Sequence, residues 1–331
     1  MATIIGIDIS FGKCTVAAFQ NGKPGVVGSF AADEYTPEVF TTAKNLASAV
    51  LAEQITQAVV TVPAAREPRF MERLYGRARK AELEILRAIY KTSALALAYG
   101  FMNKEEGALC VLCNYSKGGF DFSVIVNDDG CYETKSIYGG KDNTIWPDKV
   151  VISKIKSGIQ ESELETKKGK AFILGECTQD VHAALNEIFP VEFARPEMLA
   201  LGAAVQAAVL SGHSAVKDVL LLEAIHQGLG IEVGKRECHF ILERNTLIPT
   251  KQTVKIRPVD EDIENFTVHF LLGNSSNASK NETFHVANCW SGNSDSREYT
   301  IVVDIDANGL LNIEVKDSEG STMTSLNKAR I

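Results

Sequence analysis

Several features are scarce or missing in this sequence, and each absence argues against a class of protein. Lysine and arginine number 34 against 42 aspartates and glutamates, and the net charge of −8 argues against a surface built for nucleic acid or an anionic membrane. No stretch approaches the roughly 18 consecutive apolar residues that a membrane-spanning helix needs. No basic segment precedes the apolar residues at the start, so we expect no secretory signal.

The cysteines show no disulfide framework, because the seven are odd in number and scattered. This usage is typical of a reducing compartment and predicts a cytoplasmic protein. Cys110 and Cys113 have the spacing of a redox or zinc pair, but they lie in a predicted buried strand without a second pair. The histidines show no ligand spacing either, so the sequence predicts no metal-binding cluster.

What the sequence does contain is enough for two domains, with 331 residues of which 45% are hydrophobic. Helical and strand patterns alternate up to Asp218, including a predicted helix over residues 68–86 and another over residues 154–170. Beyond Asp218 there are short strands and turns. We therefore predict an α/β domain over residues 1–216, a linker over 217–223 and an all-β domain over 224–331.

The first half repeats one pattern, at residues 3–22 and again at residues 109–130. Each copy shows a strand, a polar loop with glycine, a second strand and a tight Asn-Gly or Asp-Gly turn. Small loop residues let backbone N–H groups approach an anion, so two such hairpins facing each other would hold a polyphosphate from both sides. On these residues alone, two ordinary hairpins remain the alternative.

Seven further strings occur along the chain in a fixed order. They are Gly6-Ile-Asp8, Val59-Val-Thr-Val-Pro63, Ala94-Leu-Ala-Leu-Ala-Tyr-Gly100, Gly202-Ala-Ala-Val-Gln-Ala-Ala-Val-Leu-Ser-Gly212, Asp218-Val-Leu-Leu-Leu-Glu223, Glu243-Arg-Asn-Thr-Leu-Ile-Pro-Thr-Lys251 and Val303-Asp-Ile-Asp-Ala-Asn-Gly-Leu-Leu-Asn312. Taken together, they resemble the seventy-kilodalton heat-shock (DnaK) chaperone family over nearly the whole chain.

The resemblance implies an actin-like ATPase domain followed by a β-sandwich peptide-binding domain. The departures from the family predict that both domains are shortened here. Lys44 runs almost directly into the strand at Ala58, and Gly140 into Lys154, so we expect two of the family's lobes to be largely absent. With the chain ending at Ile331, we expect no helical lid after the β domain.

The family's catalytic positions fall on Asp8, Lys91, Asn114 and Asp121. In the family, carboxylates near the phosphates hold Mg²⁺, while hydroxyls and backbone amides cradle the phosphate oxygens. Asp8 and Asp121 match the family, whereas Asn114 replaces an aspartate and Lys91 a glutamate. Phe11 and Gly12 also replace two threonines, so the resemblance implies weak or no ATP hydrolysis.

Nucleotide binding is a separate question, and two expectations stand side by side. One is weak binding of ATP or ADP, with or without Mg²⁺, because Lys91 and Lys117 are suited to phosphate contacts; the other is a vacant cleft. The turn at Gly175 resembles the family's adenosine-side turn. The candidate contacts are Asp8, Ser10, Gly12, Lys13, Ser116, Lys117, Gly118, Gly119, Gly175, Glu176 and Cys177.

The predicted β domain aligns without gaps to the family's first peptide-contacting loop, from Gly230 to Asn245. Lys235-Arg236-Glu237 stand where the family has apolar and glycine residues, and such charges weaken the capture of apolar segments. The candidate peptide contacts are Lys235, Arg236, Cys238, Phe240 and Ile256.

Three functions follow from these observations. The first is a lidless, catalytically weak chaperone-like protein that binds unfolded or nascent polypeptide or works as a co-chaperone module at the ribosome, similar to the atypical ribosome-associated members that pair with a J-domain protein. The second is an active ATP-dependent chaperone that tolerates the substitutions. The third is a degenerate remnant without a folding role. ATP turnover separates the second from the others, and cooperative unfolding separates the third from the first.

Overall fold

The first part of the chain contains one succession of elements twice. The computed structural model describes residues 3–64, 70–114, 119–140, 147–164, 168–233, 237–257, 265–273, 285–293 and 298–330. The first copy is β1 (Ile4–Ser10), β2 (Lys13–Gln20), β3 (Lys23–Ala31), α1 (Pro37–Leu51), β4 (Gln57–Val62), α2 (Phe70–Lys80), β5 (Glu84–Tyr90) and α3 (Lys91–Asn103). The second copy is β6 (Gly107–Asn114), β7 (Phe120–Asp128), β8 (Cys131–Gly140), α4 (Asp148–Glu161), β9 (Gly169–Leu174), α5 (Gln179–Asn186), β10 (Val191–Phe193) and α6 (Met198–Leu210).

The two copies also share one sheet topology. The first sheet has the order β3-β2-β1-β4-β5, and the second contains the matching order β8-β7-β6-β9-β10. In each copy the first strand runs antiparallel to the second and parallel to the fourth. The hairpin turns are tight because Asn21-Gly22 and Asp129-Gly130 all take positive φ angles. The repeated pattern in the sequence is therefore confirmed as a duplicated, actin-like α/β fold.

Helices α3 and α6 join the two copies. A Cβ atom added to Gly202 would lie 1.8 Å from the backbone oxygen of Ala94, so the helices touch where Gly202 has no side chain. Where β1 packs against α6, a Cβ atom added to Gly6 would lie 2.4 Å from the Ala204 nitrogen. The core around these helices includes buried residues from both sheets, and the rings of Tyr99 and Phe172 stack with centroids 4.1 Å apart. The two copies thus share one hydrophobic core.

Two predicted helices end earlier than expected. The helix predicted over residues 68–86 stops at Lys80, and β5 begins at Glu84 after Glu82 takes a positive φ angle. The helix predicted over residues 154–170 is α4, which starts at Asp148 and stops at Glu161, and β9 begins at Gly169. The first error arises because β5 is stabilised by pairing with the distant strand β4, which local periodicity does not reveal. In the second case Glu163 takes a positive φ angle just after α4, which ends the helix.

Part of the predicted linker forms a strand of the second sheet. After a short turn of 3₁₀-helix (Ser214–Val216), β11 (Leu220–Ala224) pairs in parallel with β8. The Tyr90 backbone N–H donates to a Glu223 carboxylate oxygen over 2.7 Å, and an Arg87 side-chain nitrogen lies 3.3 Å from the Leu221 carbonyl oxygen. Contacts within the chain divide it directly after this segment, into a first unit (Met1–Glu223) and a second unit (Ala224–Ile331).

The described elements that follow β11 are strands. They are β12 (Gly228–Val233), β13 (Glu237–Leu242), β14 (Leu247–Ile248), β15 (Thr250–Ile256), β16 (Asn265–Gly273), β17 (His285–Asn293), β18 (Tyr299–Ile305), β19 (Leu310–Lys316) and β20 (Thr322–Arg330). All of them except β14 form two four-stranded sheets with the orders β13-β12-β16-β17 and β15-β18-β19-β20. These two sheets share one buried core, which contains Ile231 and Phe270 from the sheet with β12 and Ile301 and Ile313 from the sheet with β18.

Candidate functional site

A buried ammonium group marks the candidate site in the first unit. Lys91 is the first residue of α3, and its side chain is only 4% exposed. Its Nζ atom lies 2.5 Å from Asp8 Oδ1, 2.7 Å from Ser10 Oγ, 3.0 Å from the Ile9 carbonyl oxygen and 3.3 Å from Thr61 Oγ1. These four oxygens around the Lys91 nitrogen are called the oxygen cage below.

The topology of the first sheet explains why these groups meet. Asp8 and Thr61 lie toward the carboxyl ends of β1 and β4, which are parallel neighbours. Ligands of open α/β sheets bind at this end of the strands. The Asp8 oxygen that contacts Lys91 also accepts hydrogen bonds from the hydroxyls of Thr61 and Ser10. This carboxylate oxygen therefore accepts three contacts, all from groups of the chain itself.

The site pairs one ammonium group with one carboxylate. Burial lowers the pKa of Lys91, but the charge of Asp8, the neighbouring Tyr35 and the hydrogen bonds to both side chains together raise it by more, so the net pKa lies above its ordinary value and the amine stays protonated. Burial, reinforced by the Asp8 charge, raises the pKa of the Cys14 thiol to about 12. Burial also raises the pKa of Tyr35, whose hydroxyl donates to the Thr61 carbonyl oxygen over 2.9 Å. One positive and one negative charge thus face each other among neutral groups.

The second carboxylate that matches the family, Asp121, also accepts a hydrogen bond from the chain. Asp121 is buried on β7, and its Oδ2 atom accepts a hydrogen bond from the Ala64 backbone N–H over 2.9 Å. Nearby, the hydroxyls of Thr92 and Ser123 lie 2.8 Å apart. Both contacts join the first copy of the fold to the second. Asp121 therefore bridges the two copies through a neutral N–H group.

The remaining predicted nucleotide contacts lie partly within and partly outside the described residues. Gly12 lies in the exposed β1–β2 turn, where Phe11 and Gly12 take positive φ angles, and the exposed Lys13 begins β2. Asn114 ends β6 with its backbone paired to Phe120, and its side chain lies outside the described residues. The same holds for the whole of Ser116, Lys117 and Gly118, whereas Gly119 is buried just before β7.

The turn between β9 and α5 carries the predicted adenosine-side residues. Gly175 has a φ angle of 92°, a conformation that suits glycine, and Glu176 is exposed. Cys177 is half-buried, and its burial raises the pKa of the thiol.

Of the predicted nucleotide contacts, the structure brings Asp8 and Ser10 into one cluster with Lys91. Sequence reasoning missed Thr61 and Tyr35 as members of it, although a threonine inside the apolar string Val-Val-Thr-Val-Pro was a signal for the first.

Two of the predicted peptide contacts, Cys238 and Phe240, lie in β13, an outer strand of its sheet, and Ile256 ends β15 in the other sheet. Lys235 and Arg236 fall outside the described residues, and Cys238 pairs with Glu232 through the backbone, with its side chain undescribed. Phe240 is half-buried, and its ring lies 2.6 Å from the position of a Cβ added to Gly228. The ring therefore covers a glycine of β12. Ile256 is half-buried against the core of the second unit, which is a packing role.

Within the described ranges, no group of three or more His, Cys, Asp or Glu residues is arranged to hold a metal ion. Cys110 and Cys113 are buried in β6, and burial raises the pKa of Cys110. Among the helices that the structure describes, none has the length and apolar character needed to cross a membrane.

The fold and the site together define a class of protein: an actin-like α/β unit of the ATPase type with carboxylates at the ends of its duplicated hairpins. The family model described as Hsp70 protein matches residues 8–163 and 177–329. The chain belongs to the Hsp70 family. Members of this family generally bind ATP or ADP with Mg²⁺ and unfolded polypeptides, and they work with J-domain co-chaperones.

The arrangement at Asp8 does not fit a magnesium ion. Mg²⁺ requires oxygen ligands at about 2.0–2.1 Å in near-octahedral geometry. Asp8 Oδ1 already lies 2.5 Å from the Lys91 nitrogen and accepts two hydroxyl hydrogen bonds. A cation of charge two in this place would have to displace the ammonium or face it at short range. At about 4 Å, a double and a single positive charge repel each other by about 8 kcal/mol at an effective dielectric constant of about 20.

Proposed function

We propose that this Hsp70-family protein acts as a chaperone that binds unfolded or nascent polypeptide and hydrolyses ATP weakly or not at all. The observation that carries this proposal is that both carboxylates that match the family are engaged by groups of the chain itself. Asp8 is paired with the Lys91 ammonium, and Asp121 accepts the Ala64 N–H.

Phosphoryl transfer by this kind of fold depends on positioning and electrostatics, with Mg²⁺ bridging phosphate oxygens and a water placed for attack. Lys91 supplies a single charge that already faces Asp8, so it cannot also bridge phosphates as a hydrated metal ion does. Removing one preorganised electrostatic group typically lowers kcat by about 10²–10³. The substitutions at Lys91 and Asn114 and the pairing of Asp8 act in the same direction.

Polypeptide binding is the part of the family function that the second unit supports. A peptide in extended conformation gains main-chain hydrogen bonds along a strand edge, and side-chain pockets then add specificity. The charges at Lys235, Arg236 and Glu237 favour less apolar segments than the family prefers. We propose weak binding with rapid release. Family membership suggests a J-domain co-chaperone as partner, and the cysteine usage suggests the cytoplasm.

The test combines turnover with peptide affinity on the purified full chain. Fluorescence anisotropy with a Leu-rich peptide and with an acidic-polar peptide of equal length measures binding with ATP, with ADP and without nucleotide, each with Mg²⁺. We expect measurable binding whose Kd changes less than twofold with nucleotide, together with background ATP turnover. An active Hsp70 chaperone serves as the control. Failure to bind either peptide, or Mg²⁺-dependent turnover at the rate of the control, contradicts the proposal.

A further inference from the structure

We propose that Lys91 is a built-in counter-ion, so that the first unit keeps its fold with neither a metal ion nor a nucleotide bound. The inference concerns the same cluster as the proposed function and deepens it. It rests on the geometry of the oxygen cage and on the charge balance of Asp8. The resident ligand of this cage is the chain's own ammonium group.

The distances in the cage suit an ammonium group. A lysine ammonium has three N–H donors and no acceptor. Asp8, Ser10 and the Ile9 carbonyl supply three oxygens at 2.5–3.0 Å, so each donor has a partner, and Thr61 adds a fourth oxygen at 3.3 Å. Calcium prefers about 2.3–2.6 Å and magnesium about 2.0–2.1 Å, with more ligands than are gathered here.

The position of Lys91 on its helix supports the same conclusion. The N-terminus of a helix carries a partial positive charge, so a cation in the first residue is disfavoured by the helix dipole. Lys91 is nevertheless the first residue of α3, with no side-chain cap at Tyr90. Its attraction to Asp8 accounts for this placement, because a buried charge is tolerated when a partner and hydrogen bonds compensate it.

The cage is held in place by a second layer of contacts. The Tyr35 hydroxyl donates to the Thr61 carbonyl oxygen over 2.9 Å, and an Arg77 side-chain nitrogen donates to the Tyr35 carbonyl oxygen over 3.0 Å. These bonds tie β4, the segment before α1, and α2 to the cage. Loss of the Lys91 charge should therefore loosen β1 and β4 as well as the start of α3.

The experiment measures urea unfolding by circular dichroism for four variants of the full chain. Lys91→Met removes the charge while keeping a long side chain, Asp8→Asn removes the opposite charge, and the double variant removes both. Lys154→Met is the matched control, because that lysine is half-buried over the Tyr138 ring at 5.2 Å. Hydrogen exchange of residues 4–10, 57–62 and 91–103 reports which segments loosen.

Each single variant should raise the unfolding equilibrium constant of the first unit at least roughly 100-fold, because it leaves a buried charge unpaired. The double variant should lose far less than the product of the two single effects, and Lys154→Met should change little. Wild-type protein should melt at the same temperature in EDTA and in Mg²⁺ with ATP. A wild-type-like Lys91→Met, additive effects in the double variant, or a wild-type melting temperature that rises with Mg²⁺ would each overturn the inference.

If Lys91→Met does not fold, the double variant and the EDTA comparison still decide the question. The outcome is also separable from the proposed function. If the unfolding results contradict the counter-ion role while ATP turnover stays at background, only this inference fails. If ATP turnover appears while Lys91 and Asp8 prove essential to stability, only the proposed function fails.

Discussion

Glu223, at the end of the first unit, provides a prediction whose magnitude can be worked from the structure. Its buried carboxylate accepts the Tyr90 backbone N–H over 2.7 Å and lies 3.5 Å from an Arg87 side-chain nitrogen. The first contact is a short hydrogen bond to a charged acceptor, whereas the second is a loose ion pair. A hydrogen bond to a charged group contributes about 1.5–3 kcal/mol, so Glu223→Ala should cost about 2–3 kcal/mol of local stability, below the ~3–5 kcal/mol of a tightly paired buried ion.

The loss should appear as local opening of β11. The Leu220 backbone N–H, which donates to the Gly130 carbonyl oxygen over 2.9 Å, should exchange with solvent about 30- to 150-fold faster in Glu223→Ala. Early proteolytic cuts should then move into residues 217–223. Glu187→Ala, at an exposed glutamate after α5, is the control and should leave exchange unchanged. Wild-type protection of Leu220 in Glu223→Ala would refute the reasoning.

Two further predictions concern the core of the first unit. Gly202→Ala should lower the free energy of unfolding by about 3 kcal/mol or more, because its Cβ meets backbone rather than a movable side chain; Gly25→Ala, with nothing within 4 Å, should stay within about 0.5 kcal/mol of wild type in the same thermal melt. The Cys14 thiol, whose pKa is raised from 9.0 to about 12, stabilises the fold fully below pH 9, and this contribution is lost as the pH rises toward 12. Urea midpoints of wild type and Cys14→Ala across that window should therefore converge with rising pH, and parallel curves would contradict the assignment.

The duplicated hairpins show what the sequence could predict about the fold. Their strands and turns depend on neighbouring residues, since Asn21-Gly22 and Asp129-Gly130 favour tight hairpin turns wherever they occur. The start of β5 at Glu84 was missed for the opposite reason. Its residues carry helix-compatible charges, and only pairing with β4 makes them a strand.

The two charged members of the candidate site were predictable from the sequence, whereas their pairing was not. The family resemblance pointed to Asp8 and Lys91 separately, and Lys91 was interpreted as a reversed charge near phosphate. That the ammonium is hydrogen-bonded to the carboxylate follows from the three-dimensional neighbourhood of β1, β4 and the start of α3. Tyr35 had no signal in the sequence, because its role depends on the loop before α1 reaching the end of β4.

The most direct test of the central claim is a calorimetric titration of the full chain with ATP and with ADP, in Mg²⁺ and in EDTA, followed by single-turnover hydrolysis. The pairing of Asp8 with Lys91 predicts no Mg²⁺-dependent gain in nucleotide affinity and no hydrolysis above background. Tight binding that requires Mg²⁺, with ADP released at the rate of an active Hsp70, would contradict the account.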